Sequence, residues 1–421
     1  MRAGRRQNNT GDWGEVVRDV FILGSTGSIG TQALEVITQN PERFCVRALS
    51  AGGANLALLA RQAVSFRPEI IAISLDKGEE FADALAAELS DSKAKYQPEV
   101  LTGEDASELL ARRADREAVV LNGITGGVGL APTLAALESG ATLALANKES
   151  LIVGGALVKA ACQRPGQIVP VDSEHSAIAQ ALASGVHHKG LTSVNQDGCS
   201  EVSQIILTAS GGPFRGKKRA DLAQVSAQQA LNHPTWSMGP VVTINSSTLV
   251  NKGLELIEAH LLFDAEPENI VPVIHPQSIV HSGVTWRDGA TILQASPPDM
   301  RLPIALGLDW PARLEKPVTP LDFTSAQQWQ FEPVDHETFP AIKLARAAVA
   351  ASASHPAVYN AANEVFVDAF LNGNLPYLQI VDSLAQVLSE HTGIDNPDLG
   401  QIMDAQTWAK AKAQEIVINT R

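Results

Sequence analysis

Short apolar runs alternate with segments of helical spacing along the first third of the chain. The apolar runs predict strands at residues 20–23, 46–50, 70–74, 119–122 and 143–146. The segments between them predict helices at residues 32–39, 56–63 and 82–89. Strands that are apolar throughout are buried on both faces, so this alternation predicts a parallel sheet with helices on both sides. Ligands of such a sheet bind beyond the carboxyl ends of its strands.

The pattern changes after residue 167, where the connections between apolar runs become longer and more polar. Strands are predicted at residues 168–171, 203–208, 241–245, 270–274, 279–284 and 291–295. Residues 311–340 contain several prolines and show little periodicity, which is typical of a linker. Helical spacing then predicts helices at residues 342–349, 361–370 and 377–388. The predicted fold class is therefore α/β, with a Rossmann-like N-terminal parallel sheet domain, a second α/β domain and a C-terminal α-helical domain.

Composition and charge narrow the functional classes. The chain has 421 residues, of which 45% are hydrophobic and 19% charged, as in ordinary globular proteins. Its formal charge of −14 argues against non-specific binding of nucleic acid, which requires a basic surface. No signal peptide or membrane span is visible, and residues 1–19 are expected to form a disordered leader. Three widely spaced cysteines without a CxxC pair predict reduced thiols, so we expect a cytoplasmic protein.

A glycine-rich turn follows the first predicted strand. Residues 24–30 read GSTGSIG and open the first predicted helix. Glycines at such a turn allow backbone N–H groups to approach a pyrophosphate at the positive end of the helix. After the second predicted strand, residues 50–55 read SAGGAN and lack the carboxylate that binds the ribose hydroxyls of NAD. The pattern favours NADPH, and a glycine-rich turn without a ligand is the alternative.

Polar residues follow two further predicted strands. The strand at residues 143–146 is followed by NKES at residues 147–150, and the strand at residues 168–171 by DSEH at residues 172–175. Clustered carboxylates at the end of a strand are typical ligands of a hard divalent cation. Solvated helix starts would explain the same residues, because acidic side chains favour helix N-termini.

Three later segments carry groups that suit a phosphorylated ligand. Residues 207–213 read LTASGGP, and a strand that ends in a hydroxyl and two glycines is a natural anion-binding turn. Residues 233–239 read HPTWSMG, which predicts either a mobile flap over a site or a loop packed into the core. Residues 245–255 read NSSTLVNKGLE, in which Asn251 and Glu255 would share one face of a helix. The Ser, Asn and Lys side chains suit a phosphate there, and Glu255 could reach a metal beside it.

In this order and spacing, the segments resemble the 1-deoxy-D-xylulose 5-phosphate reductoisomerase family. The resemblance rests on eight motifs, which read GSTGSIG, ALANKES, PVDSEHSA, LTASGGPFRG, HPTWSMG, NKGLELIEA, HPQSIVHS and PPDMRLPI. It extends from about residue 20 to the YNAANE segment at residues 359–364. Members of this family commit carbon to isoprenoid precursors by the non-mevalonate route.

The resemblance implies an NADPH-dependent oxidoreductase that uses Mg²⁺ or Mn²⁺ and acts as a homodimer on a small phosphorylated substrate. The reaction would isomerise 1-deoxy-D-xylulose 5-phosphate and reduce the aldehyde intermediate with NADPH, giving 2-C-methyl-D-erythritol 4-phosphate. The implied domains are an NADPH-binding domain at residues 20–171, a catalytic domain at 172–309, a linker at 310–340 and a helical domain at 341–421. Neither nucleic acid nor a membrane is expected as a partner.

The same resemblance assigns roles to individual residues. The metal ligands would be Asp172, Glu174 and Glu255. The catalytic residues would be Lys148, Glu174, Glu255 and His233. The substrate would be bound by Lys148, Ser173, Glu174, Ser210, His233, Ser246, Asn251, Lys252 and Glu255. NADPH would be contacted by Thr26, Gly27, Ser28, Ile29, Gly52, Asn55, Asn147, Glu149 and Gly239, and the flap would consist of His233, Trp236 and Met238.

Two positions depart from the family pattern. Some members carry a lysine beside the NADPH phosphate near Gly53, where this chain reads GGAN, and many carry Met where Gly283 stands. A metal-free nucleotide-dependent dehydrogenase would share the nucleotide turn, and a chelator assay separates that alternative. A protein that senses NADPH without turnover is the second alternative. It is disfavoured because every polar residue that the chemistry needs is present.

Overall fold

In a computed structural model, described for residues 17–90, 95–236 and 238–420, the chain forms two β-sheets and a C-terminal group of helices. The predicted disordered leader at residues 1–19 lies outside the described residues, apart from its last three. Of these, Arg18 and Asp19 already belong to the first strand, because they pair with Phe44 and Cys45 of the second.

Seven parallel strands form the N-terminal sheet. They are β1 (Arg18–Leu23), β2 (Phe44–Ala51), β3 (Ile70–Ile73), β4 (Glu99–Thr102), β5 (Val119–Asn122), β6 (Thr142–Leu145) and β7 (Ile168–Pro170). Their spatial order is β4-β3-β2-β1-β5-β6-β7. The order therefore reverses between β1 and β5, which is where doubly wound sheets bind their ligands.

Helices alternate with these strands. They are α1 (Ser28–Thr38), α2 (Leu56–Phe66), α3 (Gly78–Leu89), α4 (Ala106–Ala111), α5 (Leu130–Glu138), α6 (Lys148–Ala161) and α7 (Ser173–Leu182). Since the strands are covered on both faces, β5 is buried at every position. The sequence analysis identified five of the seven strands as one sheet. It missed the short and largely exposed β4, and it placed β7 with the second group, although β7 pairs with β6.

The second sheet is mixed and has five strands. They are β8 (Val202–Ala209), β9 (Ile270–Ile274), β10 (Val280–Trp286), β11 (Thr291–Ala295) and β12 (Glu332–Pro333). Their order is β11-β10-β8-β9-β12, with β8 and β9 parallel and the other pairs antiparallel. The two residues of β12 lie within the predicted linker, which is therefore joined to the second sheet.

Eight helices complete the described chain. They are α8 (Ala227–Ala230), α9 (Pro240–Ser247), α10 (Val250–Phe263), α11 (Arg301–Asp309), α12 (Ala341–Ala351), α13 (His355–Leu371), α14 (Tyr377–Glu390) and α15 (Leu399–Thr420). The last four confirm the predicted helical C-terminal region. Among the described residues, no helix combines the length and the apolar character needed to cross a bilayer.

The strand predicted at residues 241–245 is wrong, because this segment belongs to α9. Two adjacent valines favoured a strand, but Pro240 precedes them, and its fixed φ suits the first turn of a helix. The Thr243 hydroxyl donates to the Gly239 carbonyl at 2.9 Å within that turn. Of the apolar run only Ile244 is fully buried, so the segment lacks the continuous apolar face of an inner strand.

Two cores hold these layers together. One face of the first sheet packs against α1, α2 and α11, so that Ile304 and Leu308 of α11 join the same apolar cluster as Ile22 of β1. The other face belongs to a larger cluster that continues into the second sheet and the C-terminal helices. In that cluster α10 packs against α6, α9 and α12. The helix α10 also contacts α7, so it is fixed against the two helices that begin after β6 and β7.

Candidate active site

A cavity of about 990 Å³ opens at the carboxyl edge of the N-terminal sheet. Gly27, Ser28 and Ile29 of the nucleotide turn line one side of it, and the segments that follow β6 and β7 line another. Helix α10 and the loop at residues 233–239 complete its walls. The cavity therefore joins groups from both sheets, as ligand sites in open α/β folds do.

Three carboxylates converge at one end of this cavity. Asp172 is the N-cap of α7, Glu174 lies in its first turn, and Glu255 lies on α10. One oxygen atom from each lies within 4.8 Å of the other two. Clustered carboxylate oxygens with an open side suit Mg²⁺ or Mn²⁺, for which substrate or water completes the coordination shell. The donor set thus fits a divalent cation.

Two lysine ammonium groups lie among these carboxylates. The Lys148 Nζ donates to Asp172 Oδ2 at 2.6 Å and to Glu255 Oε1 at 3.0 Å. The Lys252 Nζ donates to Glu174 Oε1 at 2.7 Å and also pairs with the Glu255 carboxylate. Because all five side chains are largely buried, each charge depends on its neighbours for stabilisation. The three carboxylates outnumber the two ammonium groups, and this excess of negative charge favours the binding of a divalent cation.

The pKa values of the cluster reflect this competition. Burial alone would lower the pKa of Lys148, but Asp172 and Glu255 raise it well above the ordinary value. Burial would raise the pKa of Asp172, yet Lys148 and His175 hold it well below the usual range. Glu255 differs, since burial and the neighbouring Glu174 raise its pKa. The cluster therefore favours the anionic form of Asp172, whereas at Glu255 burial and Glu174 oppose the stabilising effect of Lys148 and Lys252.

A buried histidine and a further glutamate lie behind Asp172. His175 Nε2 faces the Glu255 carbonyl at 2.8 Å, and Nδ1 lies 3.1 Å from both Asp172 Oδ1 and Glu258 Oε2. Both ring nitrogens face acceptors, so the imidazole is protonated, and Glu258 and Asp172 raise its pKa to about 9 against the effect of burial. The sequence analysis did not assign a role to either residue. The spacing of three between Glu255 and Glu258, which places them on one helix face, was the available signal.

The predicted phosphate-binding residues lie beside the carboxylates. Gly211 and Gly212, with φ of +86° and +65°, form a turn after β8, and a Cβ at Gly212 would lie 2.9 Å from the Ser246 carbonyl. The turn thus brings Ser210 next to Ser246 of α9, and both line the cavity. Asn251 lines it as well, with its amide bonded to Glu255. These hydroxyl and amide groups line the same cavity as Lys252, and together they suit an anionic ligand.

The described residues of the HPTWSMG segment, 233–236, 238 and 239, have no regular secondary structure, and all of them except Pro234 line the cavity. His233 Nδ1 accepts hydrogen bonds from the backbone N–H groups of Thr235 at 3.1 Å and Trp236 at 2.9 Å. Its Nε2 must then carry the proton, which it donates to Ser210 Oγ at 3.0 Å. Burial lowers the pKa of His233, so the neutral ring suits this arrangement. Trp236 remains partly exposed and lies against His281.

The nucleotide turn is built from closely packed backbone. A Cβ at Gly30 would lie 2.4 Å from the Gly24 carbonyl oxygen and 2.5 Å from Ser25 Cα, so only glycine fits. Gly24 itself adopts φ of +82°. The Ser25 hydroxyl is buried without a hydrogen-bond partner among the described residues. Together with the open N-terminus of α1, this turn fits the pyrophosphate of a dinucleotide.

The structure brings most, but not all, of the predicted cofactor residues to the cavity. Gly27, Ser28, Ile29, Glu149 and Gly239 line it. Four predicted contacts are not among the described residues that line the cavity: Thr26, Gly52, Asn55 and Asn147. Gly52 and Asn55 follow β2, one strand away from the turn after β1.

Asn147 has a different position from the other predicted cofactor contacts. Its side chain is buried, caps α6 through the Ser150 N–H and donates to the Gly126 carbonyl. Asn147 therefore holds the start of α6, and with it Lys148, in place.

Comparison with known proteins agrees with this geometry. The family model for 1-deoxy-D-xylulose 5-phosphate reductoisomerase matches residues 20–155, and the model for its C-terminal domain matches residues 168–263. A further model, the DXP reductoisomerase C-terminal domain, matches residues 295–412. The enzymes of that name from Arthrobacter sp. and Streptomyces avermitilis are 57% and 52% identical over 94% and 95% of this chain, and 98% of each relative is covered.

Solved structures give the same result. The reductoisomerase from Zymomonas mobilis, in complex with NADPH, superimposes with a TM-score of 0.84 at 37% identity, covering 96% of this chain and 99% of that one. A DOX-P reductoisomerase in complex with NADPH, fosmidomycin and magnesium gives a TM-score of 0.82 at 33% identity, covering 95% and 98%. By family models, relatives and fold, the chain belongs to the 1-deoxy-D-xylulose 5-phosphate reductoisomerase family.

Proposed function

We propose that the chain converts 1-deoxy-D-xylulose 5-phosphate into 2-C-methyl-D-erythritol 4-phosphate, by a metal-dependent isomerisation and an NADPH-dependent reduction in the non-mevalonate pathway. Its family membership supports this reaction. The single observation that carries the proposal is the convergence of the carboxylate cluster and the nucleotide turn on one cavity. A substrate there would meet a metal site and a cofactor site at once.

Asp172, Glu174 and Glu255 would hold Mg²⁺ or Mn²⁺. When bound, the ion supplies Lewis-acid polarisation of the substrate carbonyl. His175 donates to Asp172 Oδ1 and so fixes the orientation of that carboxylate. Both lysines form ion pairs with Glu255 and so stabilise its buried carboxylate.

Substrate binding would use both ends of the cluster. Ser210, Ser246, Asn251, Lys252 and His233 surround the space for the phosphate, and Lys252 supplies the positive charge. Lys148 and Ser173 face the reacting end. All three donors of the Lys148 ammonium are engaged, by Asp172, Glu255 and Asn251, so a hydrogen bond to a substrate oxygen would replace one of these. Lys148, Glu174 and Glu255 are the candidates for proton transfer, because all three reach the cavity.

The cofactor would lie along the opposite side. Thr26, Gly27, Ser28 and Ile29 would contact the pyrophosphate, Gly52 and Asn55 the adenosine half, and Asn147, Glu149 and Gly239 the nicotinamide half. The lining of the cavity by Gly27, Ser28, Ile29, Glu149 and Gly239 supports this assignment. NADPH supplies the reducing equivalent. His233, Trp236 and Met238 would close over both ligands, which excludes water and protects the reactive aldehyde.

The proposal extends to the domains, the oligomeric state and the compartment. We assign NADPH binding to residues 20–171, catalysis to 172–309, a linker to 310–340 and a helical domain to 341–421. A homodimer is supported by β11, an outer strand with Ile292 41% and Leu293 39% exposed, because unpaired apolar strand edges favour pairing with another chain. Light scattering should give twice the chain mass of 44.6 kDa, and a monomer would contradict the homodimer. The three free cysteines support a reducing, cytoplasmic compartment.

An NADPH-consumption assay tests the function. We expect absorbance at the reduced nicotinamide band to fall only when protein, 1-deoxy-D-xylulose 5-phosphate and Mn²⁺ are all present, and to stop on addition of EDTA. Turnover that survives EDTA would indicate the metal-free dehydrogenase. NADPH binding without turnover in any metal would indicate a sensor, and either result would contradict the proposal.

A further inference from the structure

The turn after β2 presents backbone but no charge of its own. Residues 52–55 read GGAN and connect β2 to α2, and Gly52, Ala54 and Asn55 are exposed. In a doubly wound sheet the adenosine ribose of a dinucleotide lies beyond this strand. A 2′-phosphate on that ribose brings extra negative charge, which requires a cation nearby to be recognised. The turn itself supplies none.

A lysine from the neighbouring strand reaches this turn. Lys77 follows β3 and is the N-cap of α3. Its Nζ donates to the Gly53 carbonyl at 3.3 Å, across a sequence separation of 24 residues. The turn is seated against the end of β3, because a Cβ at Gly53 would lie 3.0 Å from Ile73 Cγ2 and 3.3 Å from Leu75 Cβ. The ammonium is therefore held at the place where the adenosine ribose would lie.

We propose that Lys77 binds the 2′-phosphate of NADPH and sets the preference for NADPH over NADH. This inference rests on the proposed use of a dinucleotide at the turn after β1. An ammonium has three donors, and the Gly53 carbonyl occupies one, so two remain for phosphate oxygens. Asp76, Glu79 and Glu80, which are exposed and close to Lys77 in the sequence, oppose a phosphate, so Lys77 is the cation that residues 76–80 offer to it. No ion pair within the described part of the chain engages the Lys77 ammonium.

The chemistry separates the two cofactors. NADH carries a 2′-hydroxyl at this point, which needs no cation and gains little from one. NADPH carries the phosphate, and a hydrogen bond to a charged group contributes more than a neutral one. Loss of the ammonium should therefore weaken NADPH binding and leave NADH binding nearly unchanged.

Equilibrium binding to the full chain tests this without turnover. The variant Lys77→Met keeps the length of the side chain but removes its charge, and Lys77→Arg keeps the charge. Lys159→Met, an exposed site on α6, is the control for loss of one positive charge. Kd values for NADPH and NADH come from cofactor fluorescence. Displacement by adenosine 2′,5′-bisphosphate and by 5′-AMP reports the 2′-phosphate alone.

We expect Lys77→Met to raise the Kd for NADPH about tenfold or more, and to change the Kd for NADH less than about twofold. In Lys77→Met, adenosine 2′,5′-bisphosphate should no longer bind more tightly than 5′-AMP. Lys77→Arg should retain most of this difference in affinity, and Lys159→Met should retain all of it. Equal losses for NADPH and NADH would make Lys77 a support of the turn and overturn the proposal. So would an unchanged ratio of the two Kd values in Lys77→Met.

The wild-type protein distinguishes this failure from failure of the proposed function. If wild type prefers NADPH and Lys77→Met does so equally, only the role of Lys77 is lost. If wild type binds neither dinucleotide, the proposed cofactor site itself is wrong, and the inference about Lys77 falls with it.

Discussion

The two ends of the cavity solve the problem of binding charge in opposite ways. The nucleotide turn between β1 and α1 uses backbone and glycine, with no formal charge among residues 24–30. The cluster at the ends of β6 and β7 uses three carboxylates and two ammonium groups, largely buried and in mutual contact. Both lie at the carboxyl edge of the same parallel sheet.

The difference lies in what each end can tolerate. A backbone turn depends on space, so an added methyl group matters more there than a lost charge. A buried ionic cluster depends on charge balance, because removing one member leaves another uncompensated. Substitutions at the two ends of the cavity should therefore change different measured properties.

The largest effects are expected for Asp172→Asn and Glu255→Gln. Each keeps the shape of the side chain and removes one metal-binding charge, so kcat/KM should fall about a thousandfold, since Lewis-acid stabilisation is worth several kcal/mol. The Mn²⁺ Kd, measured by titration, should rise in parallel. The Kd for NADPH should stay within about twofold, because the nucleotide turn carries no carboxylate ligand.

The matched control for these variants is Asp264→Asn. Asp264 is exposed at the C-terminal end of the same helix as Glu255, and it adopts φ of +49°, which asparagine accepts readily. This variant should behave as wild type. Normal Mn²⁺ affinity and turnover in Asp172→Asn or Glu255→Gln would remove that residue from the metal site.

Gly30→Ala should produce the reverse pattern. Its Cβ would lie 2.4 Å from the Gly24 carbonyl oxygen, and backbone cannot yield as a flexible side chain does. We expect destabilisation of about 1–3 kcal/mol, as for other overpacked sites, together with a large loss of NADPH affinity. The folded fraction should bind Mn²⁺ normally.

Gly52→Ala tests whether this sensitivity is specific to the packed turn. A Cβ at Gly52 would meet no atom within 4 Å, so stability should be unchanged. Denaturant unfolding measures both variants. If Gly30→Ala and Gly52→Ala are equally stable, the backbone of the nucleotide turn can relax around an added methyl group. The proposed difference between the two ends of the cavity would then be wrong.

The same contrast explains how far the sequence predicted this molecule. The nucleotide turn is a contiguous motif, and local spacing was enough to place it between a strand and a helix. The C-terminal helices were also predicted, since α14 and α12 carry a strong helical periodicity. The strand prediction at residues 241–245 was wrong because two valines favour strands locally. The helix observed there is determined by Pro240 and by packing against α10 and α13.

The charged cluster could not be predicted from spacing alone. Asp172 and Glu255 approach each other only because α10 packs against α6 and α7, the helices that follow β6 and β7, and that packing depends on contacts across the whole fold. Only the resemblance to a family assigned Asp172, Glu174 and Glu255 to one metal ion, because local sequence patterns do not show which distant residues meet. Neither source indicated His175 and Glu258 as a buried pair or Lys77 at the turn after β2, because those contacts depend on side-chain directions in the folded chain.

Trp236→Ala probes the loop that spans the two ends, and its effect should be intermediate. Trp236 is partly exposed and contacts His281, so its loss should lower kcat/KM about tenfold to a hundredfold through poorer closure. Thermal stability should change little. Phe263→Ala, at a fully buried position of α10, is the comparison and should cost about 3–5 kcal/mol. A comparable loss of stability in Trp236→Ala would make the tryptophan a core residue and end the flap hypothesis.

The smallest effect concerns pH and the two histidines at the carboxylate end. His175 is kept charged by the neighbouring carboxylates. His233 is kept neutral by burial and by two hydrogen bonds that its Nδ1 accepts from backbone N–H groups. A histidine whose pKa is lowered in the folded state contributes stability above its unfolded pKa of about 6.5, and loses it as pH falls through the folded pKa. Protonation at Nδ1 would break both hydrogen bonds and free the loop.

Acidification from pH 7 to below about 6 should therefore loosen the segment at residues 233–236 before it unfolds the protein. Trp236 reports this through its fluorescence, with Trp236→Phe subtracting the signal of the other tryptophans. His233→Gln, which cannot gain a proton, should remove the pH dependence of the Trp236 signal while leaving the rest of the acid transition in place. If the Trp236 signal keeps the same pH dependence in His233→Gln, a different group controls the loop, and the neutral histidine is not what holds it against the cavity.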